Sequence, residues 1–431
     1  MTPAKLASRF AAWAGLRHIA LAVSGGADST ALMYMVAAWK AAHSHAGPVV
    51  TVLTVDHRLR KSAADEARQV ASQAHALGFD HHILVWRGTK PKTGIQAAAR
   101  AARYELLADW CRANAADCLA TAHTRDDQAE TVLMRLAHGS GLDGLTGMAA
   151  SSDIDGVPLL RPLLDLSREA LREMLTSQNL PFADDPSNAD ERFERVRIRQ
   201  KRDALAEIGL DAEAVTRTAG RLRDAADALD HITDQIVART CERHAGGFAL
   251  IDREPLRDIP REILRRVLAR AVRAIGGHAY PLRYEKLVEI ADLLQRDDHL
   301  SRTVGGCRLV TRRQRLCVAR EWGRMDQSWH PLVGGMIWDD RLRIQASEPD
   351  ELTTIGPLGE EEWPRLRAAN PEWSRIPAFI ARTLPALRHK GELAAVPYLR
   401  HSRGGPTVSL EFKNKDLAMA RPVDYFAGEQ I

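Results

Sequence analysis

Short apolar runs alternate with longer amphipathic segments between residues 18 and 138. The apolar runs are aliphatic or β-branched and short, which is typical of strands buried on both faces of a sheet. The predicted strands cover 18–23, 48–55, 79–86 and 117–122, and the predicted helices cover 29–42, 62–77, 94–114 and 125–137. This alternation predicts an α/β, Rossmann-like fold with a parallel sheet, whose ligands bind beyond the carboxyl ends of the strands.

The pattern changes near residue 200. From 201 to about 293 the periodicity is overwhelmingly helical with Arg-rich faces, and from about 301 the apolar runs become shorter and are interrupted by Gly, Pro and Trp. We therefore predict a catalytic domain over 1–200, a helical domain over 201–300 and a small α+β region over 301–431.

Composition narrows the class of protein. The chain has 431 residues, 45% of them hydrophobic, and a net charge of +4, which is ordinary for globular proteins and excludes a histone-like chain. No run reaches 18 apolar residues, and the first residues lack the apolar segment of a secretion signal. Five cysteines form no C-x-x-C pair, which argues against disulfides, a zinc knuckle or an iron–sulfur cluster. We expect a cytoplasmic protein without a membrane segment.

The sharpest chemical feature is SGGADS, Ser24 to Ser29, which follows the first predicted strand and opens a helix. Two glycines allow a tight turn that aims backbone N–H groups at an anion, and the helix N-terminus adds its partial positive charge. Asp28 offers a carboxylate to a Mg²⁺ ion carried by the phosphates. The alternative is a plain strand-to-helix turn in which Asp28 caps the helix.

Two other phosphate motifs fit less well. The chain lacks the G-x-x-x-x-G-K-[ST] loop of Walker-type sites. It does contain G-x-G-x-x-G, as GSGLDG from Gly139 to Gly144, but a helical pattern precedes it where a dinucleotide site needs a strand.

SGGADS in this position resembles the phosphate loop of the PP-loop ATP pyrophosphatases, which split ATP to AMP and pyrophosphate by adenylating a substrate oxygen. Further motifs are similar to those of the tRNA(Ile)-lysidine synthetases within that group, and they occur in the same order. They are VDHRLR (55–60), AARAARYELL (98–107), AHTRDDQAET (122–131), GSGLDGLTGM (139–148), RPLL (161–164) and DPSN (185–188). Two positions depart from the pattern: Arg58 replaces a usual Gly, and Val196 replaces a usual Asn in RVRIR.

The resemblance implies ATP and Mg²⁺ as cofactors and assigns a set of residues to them. The ATP-binding candidates are Ser24, Gly25, Gly26, Ala27, Asp28, Ser29, Asp56 and His57. Asp28 and Asp127 are the candidate Mg²⁺ ligands, and Asp28, Asp127, His123 and Arg100 are the candidate catalytic side chains. The alternatives are that Asp126 caps a helix with Asp127 solvated, that His123 is structural, and that Arg100 and Arg103 form a solvated helix face.

The resemblance implies a nucleic-acid partner, whose phosphates arginine side chains would contact. Two runs, REILRRVLARAVRAIGGH and the segment from Ser301 to Arg315, are almost free of acidic residues, which favours contact with phosphates over an ordinary charged surface. The candidate tRNA-binding residues are Arg103, Arg195, Arg197, Arg199, Arg265, Arg266, Arg270, Arg312 and Arg313.

The resemblance implies that ATP activates the wobble cytidine of an isoleucine tRNA with the anticodon CAU, and that free lysine then joins C2 of that base to give lysidine, AMP and pyrophosphate. No protein partner is implied. Two alternatives stay open at this point: a PP-loop tRNA thiolase, and a nucleotide-sensing RNA-binding protein without catalysis.

Overall fold

The computed structural model describes residues 2–42, 47–58, 63–88, 90–91, 93–183, 194–277, 282–296, 299–347, 350–404 and 406–425. The chain divides into two compact units, Met1–Ala226 and Asp227–Ile431, with the boundary inside one long helix. This division differs from the predicted boundaries at 200 and 300.

A six-stranded sheet forms the centre of the first unit. Its strands are β1 (His18–Ala22), β2 (Val49–Asp56), β3 (Asp80–Val85), β4 (Cys118–Ala120), β5 (Ser151–Ile154) and β6 (Val157–Leu160), in the order β3-β2-β1-β4-β6-β5. All neighbouring strands are parallel except the β5–β6 pair. Ile19 of β1 pairs with Val50 on one side and Cys118 on the other, and all three are buried. The expected parallel α/β sheet is confirmed.

The helices of this unit are α1 (Pro3–Arg9), α2 (Ala27–Ala42), α3 (Ala63–Ala76), α4 (Ile95–Ala113), α5 (Arg125–Ala137), α6 (Leu142–Leu145), α7 (Arg168–Ser177), α8 (Glu194–Gln200), α9 (Arg202–Glu207) and α10 (Ala212–Thr240). Apolar side chains cover both faces of the sheet, with Leu32 and Val36 of α2 in one core and Leu107 and Cys111 of α4 in the other. Chain order reverses between β1 and β4, and a ligand crevice in such sheets lies at that reversal.

The second unit contains more strand than its sequence pattern predicts. Its strands are β7 (Cys241–His244), β8 (Phe248–Asp252), β9 (Ser301–Val304), β10 (Cys307–Arg312), β11 (Arg315–Arg320), β12 (His330–Pro331), β13 (Ile337–Trp338), β14 (Leu342–Ala346), β15 (Thr353–Pro357), β16 (Pro385–His389), β17 (Glu392–Val396), β18 (His401–Ser402), β19 (Val408–Phe412) and β20 (Arg421–Val423). They form sheets of six, five and three strands. The overwhelmingly helical pattern of 201–293 did not predict β7 and β8, because β8 pairs with β11, which is about 60–70 residues away in sequence.

Within the described residues, four α-helices complete this unit: α11 (Arg261–Gly276), α12 (Tyr284–Gln295), α13 (Gly359–Ala369) and α14 (Ala378–Ala381). Helices α11 and α12 share a core with the six-stranded sheet of this second unit, which contains β11, through Val267, Leu268, Leu287 and Leu316. No helix in the described part of either unit is long and apolar enough to cross a membrane.

Candidate functional site

The loop after β1 has the geometry that its sequence predicts. Gly25 adopts φ 90°, a left-handed value that glycine tolerates. The Ser29 hydroxyl accepts from the Ser24 amide at 3.2 Å and donates to the Gly26 carbonyl at 3.0 Å, while the Thr30 hydroxyl donates to the Gly25 carbonyl at 3.1 Å. These bonds hold the turn in shape and place Ala27 and Asp28 in the first turn of α2. The loop therefore presents a helix N-terminus at the end of the central strand, as an anion site requires.

The second group of predicted residues begins α5 at the end of β4. Thr124 is the N-cap, and its amide donates to Asp127 Oδ2 at 2.9 Å while the Asp127 amide donates back to the Thr124 hydroxyl at 3.3 Å. Asp126 instead accepts the Arg168 amide at 2.8 Å and so caps α7. The alternative in which Asp126 caps its own helix and Asp127 is solvated was wrong, since the Asp127 side chain is only 14% exposed.

Arg168 contacts both the phosphate loop and the start of α5, although no sequence motif indicated this residue. Its Nε donates to Asp28 Oδ2 at 3.2 Å and one terminal nitrogen donates to Asp127 Oδ1 at 2.9 Å, while the other lies 3.4 Å from Glu130 Oε1. Burial alone would lower the pKa of Arg168, but Asp127, Glu130 and Asp28 together raise it. Asp28 and Asp127 are thus brought together, with a permanent cation between them.

Glu130 was also missed, although its spacing offered a signal. It lies three residues after Asp127 and so shares a face of α5. Its side chain is 6% exposed and forms ion pairs with Arg195 Nε at 3.2 Å and Arg199 Nε at 2.9 Å.

These ion pairs change the interpretation of α8. Two of its three candidate tRNA-binding arginines, Arg195 and Arg199, face Glu130, whereas Arg197 is exposed. Val196 is buried, so this departure from the family pattern fills an apolar position. Arg195 and Arg199 are thus the cationic partners that the buried Glu130 carboxylate needs, while the contact of all three arginines with tRNA stays a prediction.

His123 lies beside a group of arginines. Burial lowers its pKa to about 3, and Arg103, Arg161 and Arg100 act in the same direction against Asp127. Its Nδ1 is 2.9 Å from the Thr121 hydroxyl. His123 is therefore a neutral imidazole at physiological pH, able to donate or accept one hydrogen bond at each ring nitrogen but not to carry charge.

Arg100 and Arg103 of α4 share Tyr104. Their guanidiniums lie 4.9 and 5.0 Å from the Tyr104 ring centroid, and both donate to its hydroxyl, at 3.3 and 3.5 Å. Burial lowers the pKa of Arg100, with Arg103 and Arg195 contributing, so these cations are close enough to interact. The predicted pair thus lies within electrostatic range of His123 and Asp127, where it adds positive charge that favours an anionic ligand.

Asp56 and His57 lie at the carboxyl end of β2, next to β1. Asp56 Oδ1 accepts the Arg58 amide at 2.8 Å, and the His57 ring makes an edge contact of 6.0 Å with Trp86. Arg58 has φ 52°, which explains why glycine suits this position. Leu59, Arg60 and the whole DPSN motif lie outside the described residues.

Asp28 and Asp127 are the two carboxylates that would hold Mg²⁺. Asp28 Oδ1 is buried and accepts no hydrogen bond from the described residues, so a coordinating oxygen is left over. Burial raises the pKa of Asp28, with Asp127 and Asp126 adding to the effect against Arg168. Three or more potential metal ligands do not converge anywhere in the described ranges. A two-carboxylate site fits Mg²⁺ all the same, since this ion keeps several waters and is completed by substrate phosphates.

The candidate tRNA-binding arginines of the second unit differ in their exposure to solvent. Arg266 and Arg270 of α11 pair with Asp230 of α10 at 2.9 and 3.0 Å, and Arg265 pairs with Glu262. The Arg266 side chain is 6% exposed. Arg266 and Arg270 thus find an acid on α10, whereas Arg265 is paired within its own helix, and the contact of these three residues with phosphates stays a prediction. Arg312 and Arg313 lie exposed at the turn between β10 and β11.

Comparisons with known proteins agree with this geometry. A PP-loop domain family matches residues 3–202. The tRNA(Ile)-lysidine synthase of Ruegeria pomeroyi is 38% identical over 402 residues, which are 93% of each chain. That of Bradyrhizobium diazoefficiens is 46% identical over 60% of this chain and 73% of its own, and that of Anaplasma marginale is 32% identical over 91% and 88%. The chain belongs to the tRNA(Ile)-lysidine synthase family, with a PP-loop domain at its N-terminus.

Proposed function

We propose that this protein uses ATP to join lysine to C2 of the wobble cytidine of an isoleucine tRNA with the anticodon CAU, and that it does so in the cytoplasm. The observation that carries the proposal is the alignment with a tRNA(Ile)-lysidine synthase over 93% of both chains, together with the phosphate loop and carboxylate cluster described above.

The reaction has two steps. Cytidine O2 attacks the α-phosphate of ATP, which forms an O-adenylate and releases pyrophosphate. The amine of lysine then attacks C2, loses a proton, and displaces AMP. The wobble base of an anticodon is unpaired in free tRNA, so its edge can enter a crevice.

Amides and arginines of the site bind the phosphates, and its carboxylates bind the cations. The loop from Ser24 to Ser29 binds the departing pyrophosphate through its amides and hydroxyls. Arg100 and Arg103 face the negative charge that develops on the α-phosphate. The carboxylates at Asp127 and Glu130 attract the cationic lysine, and a carboxylate accepts the proton that its amine must lose before attack. Asp28 and Asp127 would hold Mg²⁺, which supplies charge neutralisation at the phosphates.

The thiolase alternative is disfavoured by the cysteines. Cys111 and Cys118 are the cysteines of the first unit, and both are buried in the core beside β4. Burial raises the pKa of Cys111 to about 11 and that of Cys118 to about 12. A sulfur carrier needs an accessible thiolate, and these thiols are neither accessible nor ionised.

The test is nucleoside analysis of isoleucine tRNA after incubation with ATP and labelled lysine. We expect label in the wobble nucleoside, and pyrophosphate release over many turnovers only when both lysine and tRNA are present. An isoleucine tRNA with a purine at the wobble position is the matched control and should stay unlabelled. Pyrophosphate release without lysine incorporation would overturn the proposal and favour another PP-loop activity.

A further inference from the structure

The position of Arg168 is set by its backbone, independently of its guanidinium. Ser167 is the N-cap of α7 and accepts the Ala170 amide, while Asp126 accepts the Arg168 amide at 2.8 Å. These two caps fix the Arg168 Cα beside the start of α5. The side chain is 24% exposed, so its long stem has room to change rotamer while the backbone stays in place.

The guanidinium lies where the two candidate metal ligands meet. It bonds one oxygen of Asp28 and one of Asp127, the two carboxylates that fit Mg²⁺. Asp28, Asp127 and Glu130 all bond this one guanidinium. Removing Arg168 takes away the positive charge that Asp28 and Asp127 share, and a divalent cation can replace it.

We propose that Arg168 is a place-holding cation, which neutralises Asp28 and Asp127 while no nucleotide is bound and competes with a divalent metal ion for both carboxylates. The idea rests on the proposed function only through the assignment of these two aspartates to a metal ion. When ATP and its metal arrive, the guanidinium gives up Asp28 and Asp127 and keeps Glu130, its third partner. The site thus avoids an uncompensated buried charge in either state.

Mn²⁺ binding in the absence of nucleotide tests this competition. Arg168→Met keeps the length and the apolar stem but removes the charge. In EDTA we expect its melting temperature to fall by about 5–10 °C, because buried carboxylates lose their partner. Mn²⁺ alone, without ATP, should restore at least half of that loss and bind at least ten times more tightly than it binds the wild type, whose melting temperature should hardly respond.

Three variants serve as controls. Arg217→Met removes an exposed guanidinium that pairs with Glu213 elsewhere in the first unit, and it should change neither stability nor Mn²⁺ affinity. Asp28→Asn combined with Arg168→Met should abolish the Mn²⁺ rescue, since it removes one of the two ligands. Arg168→Lys keeps the charge without the three-way fork, so its Mn²⁺ affinity should lie between those of the wild type and Arg168→Met.

Equal Mn²⁺ affinity in the wild type and Arg168→Met would overturn the proposal, as would a rescue that survives Asp28→Asn. If Arg168→Met does not fold even with Mn²⁺, Arg168→Lys decides: an affinity equal to that of the wild type rejects the competition. These assays contain no tRNA, lysine or ATP, so their failure is distinct from a failure of lysine incorporation by the wild type.

Discussion

The two adjacent glycines of the phosphate loop differ in what they require. Gly25 has φ 90°, and a Cβ there would lie 3.3 Å from Val70 Cγ2. Gly26 has no left-handed φ, and a Cβ there would meet nothing closer than the Ser24 hydroxyl at 3.8 Å. The left-handed backbone conformation at position 25 therefore favours glycine. At position 26 the absence of a side chain instead leaves open space on the side where a phosphate would approach.

We expect Gly25→Ala to lower the free energy of unfolding by about 1–2 kcal/mol, because alanine is strained at positive φ. Gly26→Ala should fold with wild-type stability but raise the KM for ATP by roughly tenfold or more, as its methyl group obstructs the approach of phosphate to the backbone. Urea unfolding and pyrophosphate release measure the two effects. A Gly26→Ala variant with normal KM would remove this amide from the phosphate site.

The burial of His123 predicts a pH dependence of stability. The folded protein keeps this imidazole neutral down to a pKa of about 3, whereas the unfolded chain binds the proton near pH 6.5. The unfolded state therefore binds more protons below pH 6.5, and the stability contributed by His123 is complete above that pH and falls as the solution becomes more acidic.

His123→Asn removes this group from the titration. The wild type should lose more stability than the variant as the pH falls below 6.5, with the difference approaching about 1.4 kcal/mol per pH unit below about pH 5.5, as measured by denaturant unfolding in parallel buffers. Titrating groups remote from His123 act equally in both proteins and cancel in the difference. Parallel pH curves for the two proteins would show that His123 is accessible to protons.

At the scale of elements, Asp127 at the N-terminus of α5 both caps the helix and is a candidate metal ligand. The carboxylate closes the capping box with Thr124 through one oxygen and meets Arg168 through the other. Burial would raise the pKa of Asp127, but Arg168, Thr124 and His123 outweigh it and lower the pKa. Asp28 has no capping bond and an elevated pKa. The two candidate metal ligands are therefore not equivalent for stability.

Asp127→Asn should lower the free energy of unfolding by about 1–3 kcal/mol, since it loses a charged hydrogen bond at a helix start. Asp28→Asn should change it by less than about 1 kcal/mol, because a neutral side chain suits that buried position. Both should slow pyrophosphate release by roughly 10²-fold if each carboxylate stabilises transition-state charge. Unchanged activity in Asp28→Asn at saturating Mg²⁺ would assign this residue to the helix alone.

At the scale of the whole molecule, the candidate tRNA-binding arginines of the second unit fall into two groups. Arg266 and Arg270 of α11 bond Asp230 of α10, and Arg265 bonds Glu262 of its own helix. Arg312 and Arg313 are exposed to solvent at the turn between β10 and β11. We propose the second group, with the exposed Arg197 of the first unit, as the part of the predicted tRNA-binding set that can reach phosphates.

Arg266→Met should lower the free energy of unfolding by about 1–3 kcal/mol, because it removes a buried guanidinium that bonds Asp230 and Glu262 and leaves Arg270 and Arg265 as their remaining partners. It should leave the salt dependence of tRNA affinity unchanged. Gln at both Arg312 and Arg313 should leave stability within about 0.5 kcal/mol but flatten the log–log salt slope by about one per lost contact. The measurement is tRNA affinity at several salt concentrations. Superimposable slopes would show that the hairpin is an ordinary solvated surface.

Local sequence by itself determined the parallel α/β fold, the phosphate loop and the positions of Asp28 and Asp127. Strand and helix periodicity and the glycine-rich turn are properties of a few consecutive residues, so they can be recognised without knowledge of the fold. The resemblance of ordered motifs then supplied the family.

Only the tertiary structure decided which charges meet. Arg168 bonds Asp28 across 140 positions and Glu130 across 38, and Arg199 reaches Glu130 across 69. Such pairs depend on which strands are neighbours, and no local pattern encodes that order. The same reason explains why strands β7 and β8 were missed and why Arg266 and Arg270 of α11 find an acid, Asp230, on another helix.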